Sequence, residues 1–242
     1  MRTSKAQQAA TRKRLVDTAV RLMSERGYDG TTLKDVAREA GVGDATVYKY
    51  FASKERLLGG FFEQALAEAL QAWQATPELA QFTLQERLQC LVDAVLEQLR
   101  PARAFVALAR AQLERAPLSV IGAELPGKAL LQPVVERLLD EAEAAGQIAP
   151  CRFKAALAGL WVDYLYGLMA FWQQDASAQE AETSELVDLS LELLVLVLQT
   201  GLLDRLLALG GFLLRAQMGR WMRRGPDLID ALRGVRAAMV SP

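Results

Sequence analysis

The chain contains no histidine among its 242 residues and only two cysteines, Cys90 and Cys151. The absence of histidine excludes histidine-ligated metal sites, Ser-His-Asp triads and a histidine pH switch. Since the cysteines are far apart and neither belongs to a Cys-x-x-Cys pair, a zinc knuckle and a disulfide framework are disfavoured. No Gly-x-Gly-x-x-Gly or Walker loop is present. We therefore expect no metal, no cofactor and no catalytic site.

Strand-like alternation of polar and apolar residues is also missing, and Ala, Leu, Glu, Gln and Arg dominate the composition. The chain is 52% apolar and 24% charged, which is typical of a folded globular protein. An apolar signal-peptide core is lacking at the N-terminus, and the cysteine usage fits a reducing compartment. These features predict an all-α protein in the cytoplasm.

The net charge of −1 conceals an uneven distribution. Residues 1–60 contain 12 Lys and Arg against 7 Asp and Glu, whereas the remainder is acidic overall. A basic front on an acidic body indicates an anionic partner for the front. Helical spacing of apolar residues predicts a small head at 1–58 and a larger helical body at 59–242.

Within the head, helices are predicted from Thr11 to about Arg26, from Thr31 or Thr32, and from Asp44, with a fourth capped by Ser53. The turn Gly41-Val42-Gly43 separates the second and third helices. Two short helices joined by a tight glycine turn, after a supporting helix, are typical of a helix-turn-helix motif. In that motif the second helix enters the major groove of DNA.

The predicted third helix has only two apolar anchors, Val47 and Phe51, at i and i+4. Its other side carries Thr46, Lys49 and Tyr50, with Tyr48 flanking. Hydroxyls and a lysine can bond to phosphates and bases, while tyrosine rings can pack against sugars and thymine methyl groups. A helical subdomain whose polar face is simply solvated fits the periodicity equally well.

The segment "TRKRLVDTAVRLMSERGYDGTTLKDVAREAGVGDATVYKYFASKERLL" resembles the DNA-binding head of the TetR family of bacterial transcription regulators. The matching features are an Arg-x-x-Leu-x-x-x-Ala helix, Gly-Tyr-x-x-Thr-Thr, Val-Ala-x-x-Ala-Gly-Val, Thr-Val-Tyr-x-Tyr-Phe and Ser-Lys-Glu-x-Leu. The resemblance covers about residues 10–60. It implies a homodimer that binds a palindromic double-stranded operator, usually as a repressor, and a helical body that binds a small effector.

By the same resemblance, Thr32 would meet phosphate and Lys34 would reach the groove. Position 43, often serine in this family, is glycine here, and the adjacent Asp44 either accepts from a cytosine amine or only caps the helix. The full set of expected DNA contacts is Thr32, Lys34, Asp44, Ala45, Thr46, Tyr48, Lys49, Tyr50 and Lys54.

In the body, helices are predicted at 83–99, 101–115, 127–145, 151–173, 184–208 and 211–240. Residues 155–172 are mostly apolar and long enough for a membrane span, but Asp163 would lie at the centre of the bilayer. Small residues at steps of three and four along this helix, including Gly159 and Gly167, favour close approach of another helix instead. We therefore disfavour a membrane contact.

Two leucine stripes run along 184–208, one through Leu191, Leu194 and Leu198, the other through Leu189 and Leu193. A monomer can bury one stripe, but two exposed stripes would aggregate. Together with the helix at 151–173, this pattern predicts an isologous four-helix dimer bundle. The predicted interface residues are Gly159, Gly167, Leu191, Leu194 and Leu198.

An effector pocket is expected among the helices at 83–173, lined by residues that combine apolar bulk with a polar group. The candidates are Phe105, Trp161, Asp163, Tyr164 and Tyr166, although core or interface packing also explains each of them. Asp163 is expected to be a buried carboxylate with a partner, which could be an arginine, a tyrosine hydroxyl or a cationic effector. The mostly apolar surroundings favour a hydrophobic or amphipathic effector.

The C-terminal extension 209–242 carries several arginines around Trp221. It could pack on the body, lengthen the dimer surface or touch an anionic membrane. A DNA-binding regulator controlled by a protein partner or a membrane through this extension, without a small effector, is therefore the alternative function. A helical enzyme is a weaker alternative, because the sequence shows no nucleophile–base pair.

Overall fold

The computed structural model describes residues 4–115 and 125–202, together with residues 205, 209 and 212. Nine α-helices and three short 3-10 turns account for most of these residues, and none of the described residues lies in a β-strand. The predicted all-α class is confirmed.

Three helices form the head: α1 (Lys5–Arg26), α2 (Leu33–Glu39) and α3 (Asp44–Tyr50). Their inward faces are fully buried, with Leu15 and Ala19 of α1, Val36 of α2 and Val47 of α3 each at 0% exposure. A head of this size therefore has one continuous core, which fixes α3 relative to α1 and α2.

The start of α1 differs from the prediction. Ser4 caps the helix by accepting from the Gln7 amide at 3.2 Å, and the Gln7 side chain accepts from the Ser4 amide at 3.0 Å. Thr11, the predicted cap, lies inside the helix and donates to the Gln7 carbonyl at 2.9 Å. The reciprocal Ser-Gln capping box satisfies two free amides, which explains why the helix begins a turn and a half earlier.

The next helix, α4 (Lys54–Gln74), connects the head to the body. Ser53 caps it as predicted, accepting from the Arg56 amide at 3.3 Å. The helix packs against α1 of the head and against α5 of the body, and the predicted domain boundary at position 58 lies inside it. Head and body are thus joined by an unbroken helix.

The body comprises α5 (Leu84–Leu99), α6 (Arg103–Arg115), α7 (Lys128–Ala144), α8 (Lys154–Gln174) and α9 (Ala181–Thr200). Four of the predicted ranges agree with these bounds to within three residues. The fifth was predicted to reach residue 208, but α9 ends at Thr200 because Gly201 takes a left-handed conformation with φ 61°. The predicted helix at 211–240 lies outside the described residues, apart from Phe212.

A hydrogen-bonded joint connects α8 to α9. The buried Asp175 carboxylate accepts from the amide and hydroxyl of Ser177 at 2.8 and 2.6 Å, and from those of Thr183 at 2.9 and 2.6 Å. Arg103 of α6 donates to the carbonyls of Trp172 and Asp175 at 2.5 and 2.6 Å. These bonds set the angle at which α9 leaves α8.

By length and composition alone, α8 is also long and apolar enough to cross a membrane. Within its most apolar window, 44% of the residues are buried inside the subunit. One side of α8 packs on α7 and α6, so the apolar residues have a partial explanation in the core.

Candidate DNA-binding surface and effector cavity

Helix α3 has a buried side and an exposed side, as a DNA-reading helix requires. Val47 and Phe51 are buried at 0% and 2% exposure. On the opposite side Tyr48 is 48% exposed. The other predicted contact residues of this helix are also accessible: Asp44, Ala45 and Lys49 are exposed, while Thr46 and Tyr50 are half-buried. The structure therefore brings all six onto or beside one accessible surface.

The cap of α3 was assigned to the wrong residue. Gly43 is the capping residue, without a side-chain hydrogen bond, and Asp44 is the first residue of the helix. A carboxylate in the first turn still interacts favourably with the positive end of the helix dipole. Because Asp44 is not used as a cap, its side chain remains available on the exposed surface.

At the start of α2, Thr32 is already engaged in a capping box. Its hydroxyl accepts from the Asp35 amide at 3.1 Å and donates to the Asp35 carboxylate at 2.6 Å. The hydrogen bonds from Thr32 hold the pKa of Asp35 below its ordinary value. A phosphate that accepts from the Thr32 hydroxyl must therefore displace Asp35, whereas the exposed Lys34 needs no such rearrangement.

Lys54, at the first position of α4, is tied to the head rather than free. Its ammonium donates to the Tyr28 carbonyl at 2.9 Å and lies 3.9 Å from the centre of the Tyr28 ring. The Tyr28 hydroxyl in turn donates to Glu55. Sequence analysis did not identify this role of Tyr28, although the Gly-Tyr and Ser-Lys-Glu motifs contain all three residues. The cluster joins the α1–α2 turn to the start of α4.

A cavity of about 280 Å³ lies in the body among α5, α7, α8 and α9. Eight aliphatic side chains, one tryptophan, one tyrosine and one serine line it, and none of these residues carries a charge. Two of the predicted pocket residues, Trp161 and Tyr164, are among them. Sequence analysis missed Ser190, whose hydroxyl lies 2.6 Å from the Tyr164 hydroxyl, because it stands alone between two leucine stripes.

Comparison with known families agrees with this two-part architecture. Residues 15–60 match the family described as bacterial regulatory proteins, tetR family. Residues 87–213, more than half of the chain, match the tetracyclin repressor-like C-terminal domain. The protein belongs to the TetR family. It is accordingly a DNA-binding transcription regulator, as the resemblance of its head implied.

Two individual comparisons cover most of this TetR-family chain. The HTH-type transcriptional regulator UidR of Escherichia coli K12 is 26% identical over 180 residues, which span 72% of this chain and 88% of UidR. Among solved structures, Salmonella enterica GusR gives a TM-score of 0.57 at 21% identity and covers 83% of this chain and 100% of GusR. The structural likeness shows a shared fold.

A further TetR-family match is confined to the head. The fatty acid metabolism regulator protein of Bacillus subtilis is 33% identical over 57 residues, or 24% of this chain and 29% of that protein. Because this match does not span the body, it carries no information about the ligand of the present regulator.

The other three predicted pocket residues do not line the cavity of this TetR-family body. Phe105 is buried and packs edge-on against Phe61 of α4, with ring centres 4.9 Å apart. The Tyr166 hydroxyl donates to the Pro126 carbonyl. Both residues contribute to packing of the body against α4 and the loop before α7.

Asp163 is not buried, contrary to the prediction. Its side chain is 46% exposed and pairs with Lys128 of α7 at 2.7 Å. The residue occupies the outer side of α8, one position in a stripe that the sequence placed against another helix. Its partner is therefore a lysine of the same subunit.

The predicted dimer surface is partly wrong. Leu191 and Leu198 are buried within the subunit at 1% and 3% exposure, and Leu194 is half-buried in the cavity wall. Gly159 is buried against α7, where an added Cβ would lie 3.7 Å from Gln132 and Lys128. The sequence could not decide which of two leucine stripes faces the core, because their spacing is identical.

The second leucine stripe of α9 is the exposed one. Leu189, Leu193 and Leu196 are 59%, 61% and 55% exposed. On α8, Leu160 and Phe171 are 63% and 40% exposed. We call these five residues the apolar face. Gly167 of α8 is exposed too, and an added Cβ there would meet no atom within 4 Å.

A larger groove of about 470 Å³ lies between α4, α5 and the start of α9. Its lining is mixed: burial and the nearby Asp188 raise the pKa of Asp93, while Arg100 pairs with Glu97 and Glu180, both at 3.0 Å. Cys90, at its inner edge, lies 3.6 Å from the Thr76 hydroxyl. Since most of its charges pair with one another, the groove presents no unmet group that would select a ligand.

Two further points concern the rest of the chain. Within the described ranges, no three Cys, Asp or Glu side chains come together as metal ligands would. The C-terminal extension 209–242 lies outside the described residues except for Leu209 and Phe212, which are 53% and 61% exposed.

Proposed function

We propose that this protein is a dimeric cytoplasmic repressor that binds a palindromic operator and is released from it by a small apolar effector. The α3 helices of both subunits would enter successive major grooves. Effector binding would favour a body conformation in which the two heads no longer match that spacing, so operator affinity falls. TetR-family regulators bind DNA operators and function as dimers with small-molecule effectors.

The observation that carries the effector part of this proposal is the 280 Å³ cavity. It is concave, apolar and placed between helices of the body, as small-molecule sites usually are. A protein interior closes such a void unless something occupies it, because an empty cavity loses packing contacts. A function in ligand binding explains why this space is retained.

The apolar face supports the dimeric part. Five large side chains on two adjacent helices, each at least 40% exposed, form a patch that a soluble monomer rarely presents. A two-fold axis through the patch would place α8 and α9 of each subunit against their copies in a four-helix bundle. The open backbone at Gly167 would let the partner helices approach closely.

Operator binding is tested by selecting duplexes from a random pool with the purified protein. We expect a two-fold symmetric consensus whose half-sites lie about one helical turn apart. An asymmetric consensus, or no enrichment at low salt, would refute the proposed binding mode.

The dimer is tested by sedimentation of Leu193→Glu, which places a charge within the apolar face. The matched control is Leu130→Glu on α7, because Leu130 is 41% exposed and lies outside that face. We expect the first variant to sediment as a monomer and the control as a dimer. Two dimeric variants would show that the apolar face is not the interface.

A further inference from the structure

The polar groups inside the cavity define what its ligand must offer. Ser190 donates its hydroxyl proton to the Val187 carbonyl at 3.1 Å. The contact of 2.6 Å between the Ser190 and Tyr164 hydroxyls is therefore a bond in which Tyr164 donates. Both hydroxyl protons are used within the subunit, so neither is available to a ligand.

Trp161 is the exception. Its side chain lines the cavity and is 5% exposed, and its indole N–H is buried with no hydrogen-bond partner in the described part of the chain. Indole nitrogen can only donate, so it needs an acceptor. Buried donors without a partner are rare in folded proteins and call for an explanation. A ligand that supplies an acceptor oxygen would remove this deficit.

The cavity offers no compensation for a charge. Its lining contains no Asp, Glu, Lys or Arg, and burial raises the pKa of Tyr164, which keeps the phenol neutral. A carboxylate or an ammonium group would lose its hydration on entry without gaining an opposite charge. The ligand is therefore expected to be uncharged.

Size adds a third constraint. The volume of about 280 Å³ is somewhat less than twice that of an engineered apolar cavity of about 150 Å³ that binds benzene. It lies just below the range of roughly 300–1,000 Å³ for drug-sized ligands. A molecule with two fused rings, or an aliphatic chain of similar bulk, fits these limits.

We propose that the cavity binds a small, uncharged, mostly apolar molecule whose single acceptor oxygen, a carbonyl or an ether, accepts a hydrogen bond from Trp161. This inference names the ligand class of the effector site and rests on the proposed function only for the effect on DNA. Trp161 is thus the residue that distinguishes a ligand with an acceptor oxygen from a hydrocarbon of the same shape.

Three bicyclic probes test the inference: 1-tetralone, which has a carbonyl, tetralin, which has no acceptor, and 2-naphthoate, which is an anion. Their affinities are measured by calorimetry at neutral pH with the full-length protein. We expect 1-tetralone to bind more tightly than both other probes. Equal or tighter binding of 2-naphthoate, or no binding of any probe, would overturn the ligand class.

The role of the indole N–H is tested with Trp161→Phe. The measured quantity is the ratio of the affinities for 1-tetralone and tetralin, because any change in cavity size affects both probes. We expect this ratio to fall about three- to tenfold, as loss of one neutral hydrogen bond predicts. An unchanged ratio would exclude Trp161 as the donor.

Trp172→Phe is the matched control. Trp172 also has a buried indole N–H without a partner in the described residues, but it does not line the cavity. We expect the affinity ratio of this variant to equal that of the wild type. If Trp161→Phe fails to fold, Leu139→Trp, which fills the cavity, is expected to abolish binding of 1-tetralone, and retained binding would place the ligand elsewhere.

Release from DNA is measured separately with the selected operator. A protein that binds the operator but prefers 2-naphthoate refutes the ligand class and leaves the proposed repressor function intact. A protein that binds 1-tetralone but no operator refutes the repressor function and leaves the ligand class intact.

Discussion

Gly60 lies directly against the ring of Phe51: a Cβ added at Gly60 would lie 2.6 Å from Phe51 Cε1 and 3.3 Å from the Arg12 guanidinium. Phe51 ends α3, and Gly60 belongs to the second turn of α4. The DNA-reading helix is therefore seated on α4 through a contact that leaves no room for a side chain.

This contact predicts opposite outcomes for two neighbouring glycines. Gly60→Ala is expected to lower the free energy of unfolding by about 1–2 kcal/mol, because overpacking outweighs the gain in helix propensity. Gly59→Ala is the control, since its Cβ would make an ordinary contact of 3.5 Å with Pro126. We expect that variant to be unchanged or up to about 1 kcal/mol more stable. Chemical denaturation measures both, and equal stability would contradict the packing argument.

The exposed side of α3 predicts a division of labour between two adjacent residues. Lys49→Ala is expected to reduce discrimination between the selected operator and random duplex by about 1–3 kcal/mol. Tyr48→Ala is expected to weaken both complexes to the same degree, since its ring would pack against the sugar-phosphate backbone. Titrations of each variant on both duplexes check this, and a uniform loss in Lys49→Ala would argue against a base contact.

Gly167→Leu is predicted to separate the subunits without unfolding them. An added Cβ meets nothing within 4 Å in the subunit, and leucine favours a helix over glycine, so monomer stability should not fall. In the proposed four-helix bundle the same side chain would occupy the space of the partner helix. Sedimentation should show a monomer with an unchanged far-ultraviolet spectrum, and an intact dimer would place the interface elsewhere.

Asp175 predicts a pH-dependent contribution to stability. Hydrogen bonds from the side chains and amides of Ser177 and Thr183 hold the pKa of this carboxyl well below its ordinary value. A depressed folded-state pKa gives stability that is complete above the unfolded value of about 4 and is lost as the pH falls below it. Asp175→Asn should therefore lower the melting temperature at pH 7 by more than at pH 3. Equal shifts at both pH values would show that the negative charge contributes nothing.

The head was predictable to the level of single residues because its motif combines fixed spacing with strong local signals. The glycine turn, the two anchors Val47 and Phe51 and the Ser53 cap each have one physical interpretation, and the structure agrees with all of them. The Ser4 cap was missed because Thr11 offers the same chemistry closer to the apolar residues.

The body was less predictable because tertiary contacts decide its details. Helical period shows that α9 has two leucine stripes, but only packing against α5 and α8 buries Leu191 and leaves Leu193 exposed. Asp163 seemed buried because its neighbours in the chain are apolar, yet it lies on the outer side and reaches Lys128. The cavity could not be located from the sequence, since its walls come from four separate helices.

Leu160 belongs both to the cavity wall and to the apolar face. If the apolar face is where the twin subunit docks, the effector lies one side chain away from that contact, and the two binding equilibria become thermodynamically linked. Any factor by which the ligand alters subunit affinity must return as the same factor in ligand affinity. The dose–response curve of such a regulator would then shift with its own cellular concentration, so the number of protein copies would set the sensitivity of the gene to its signal.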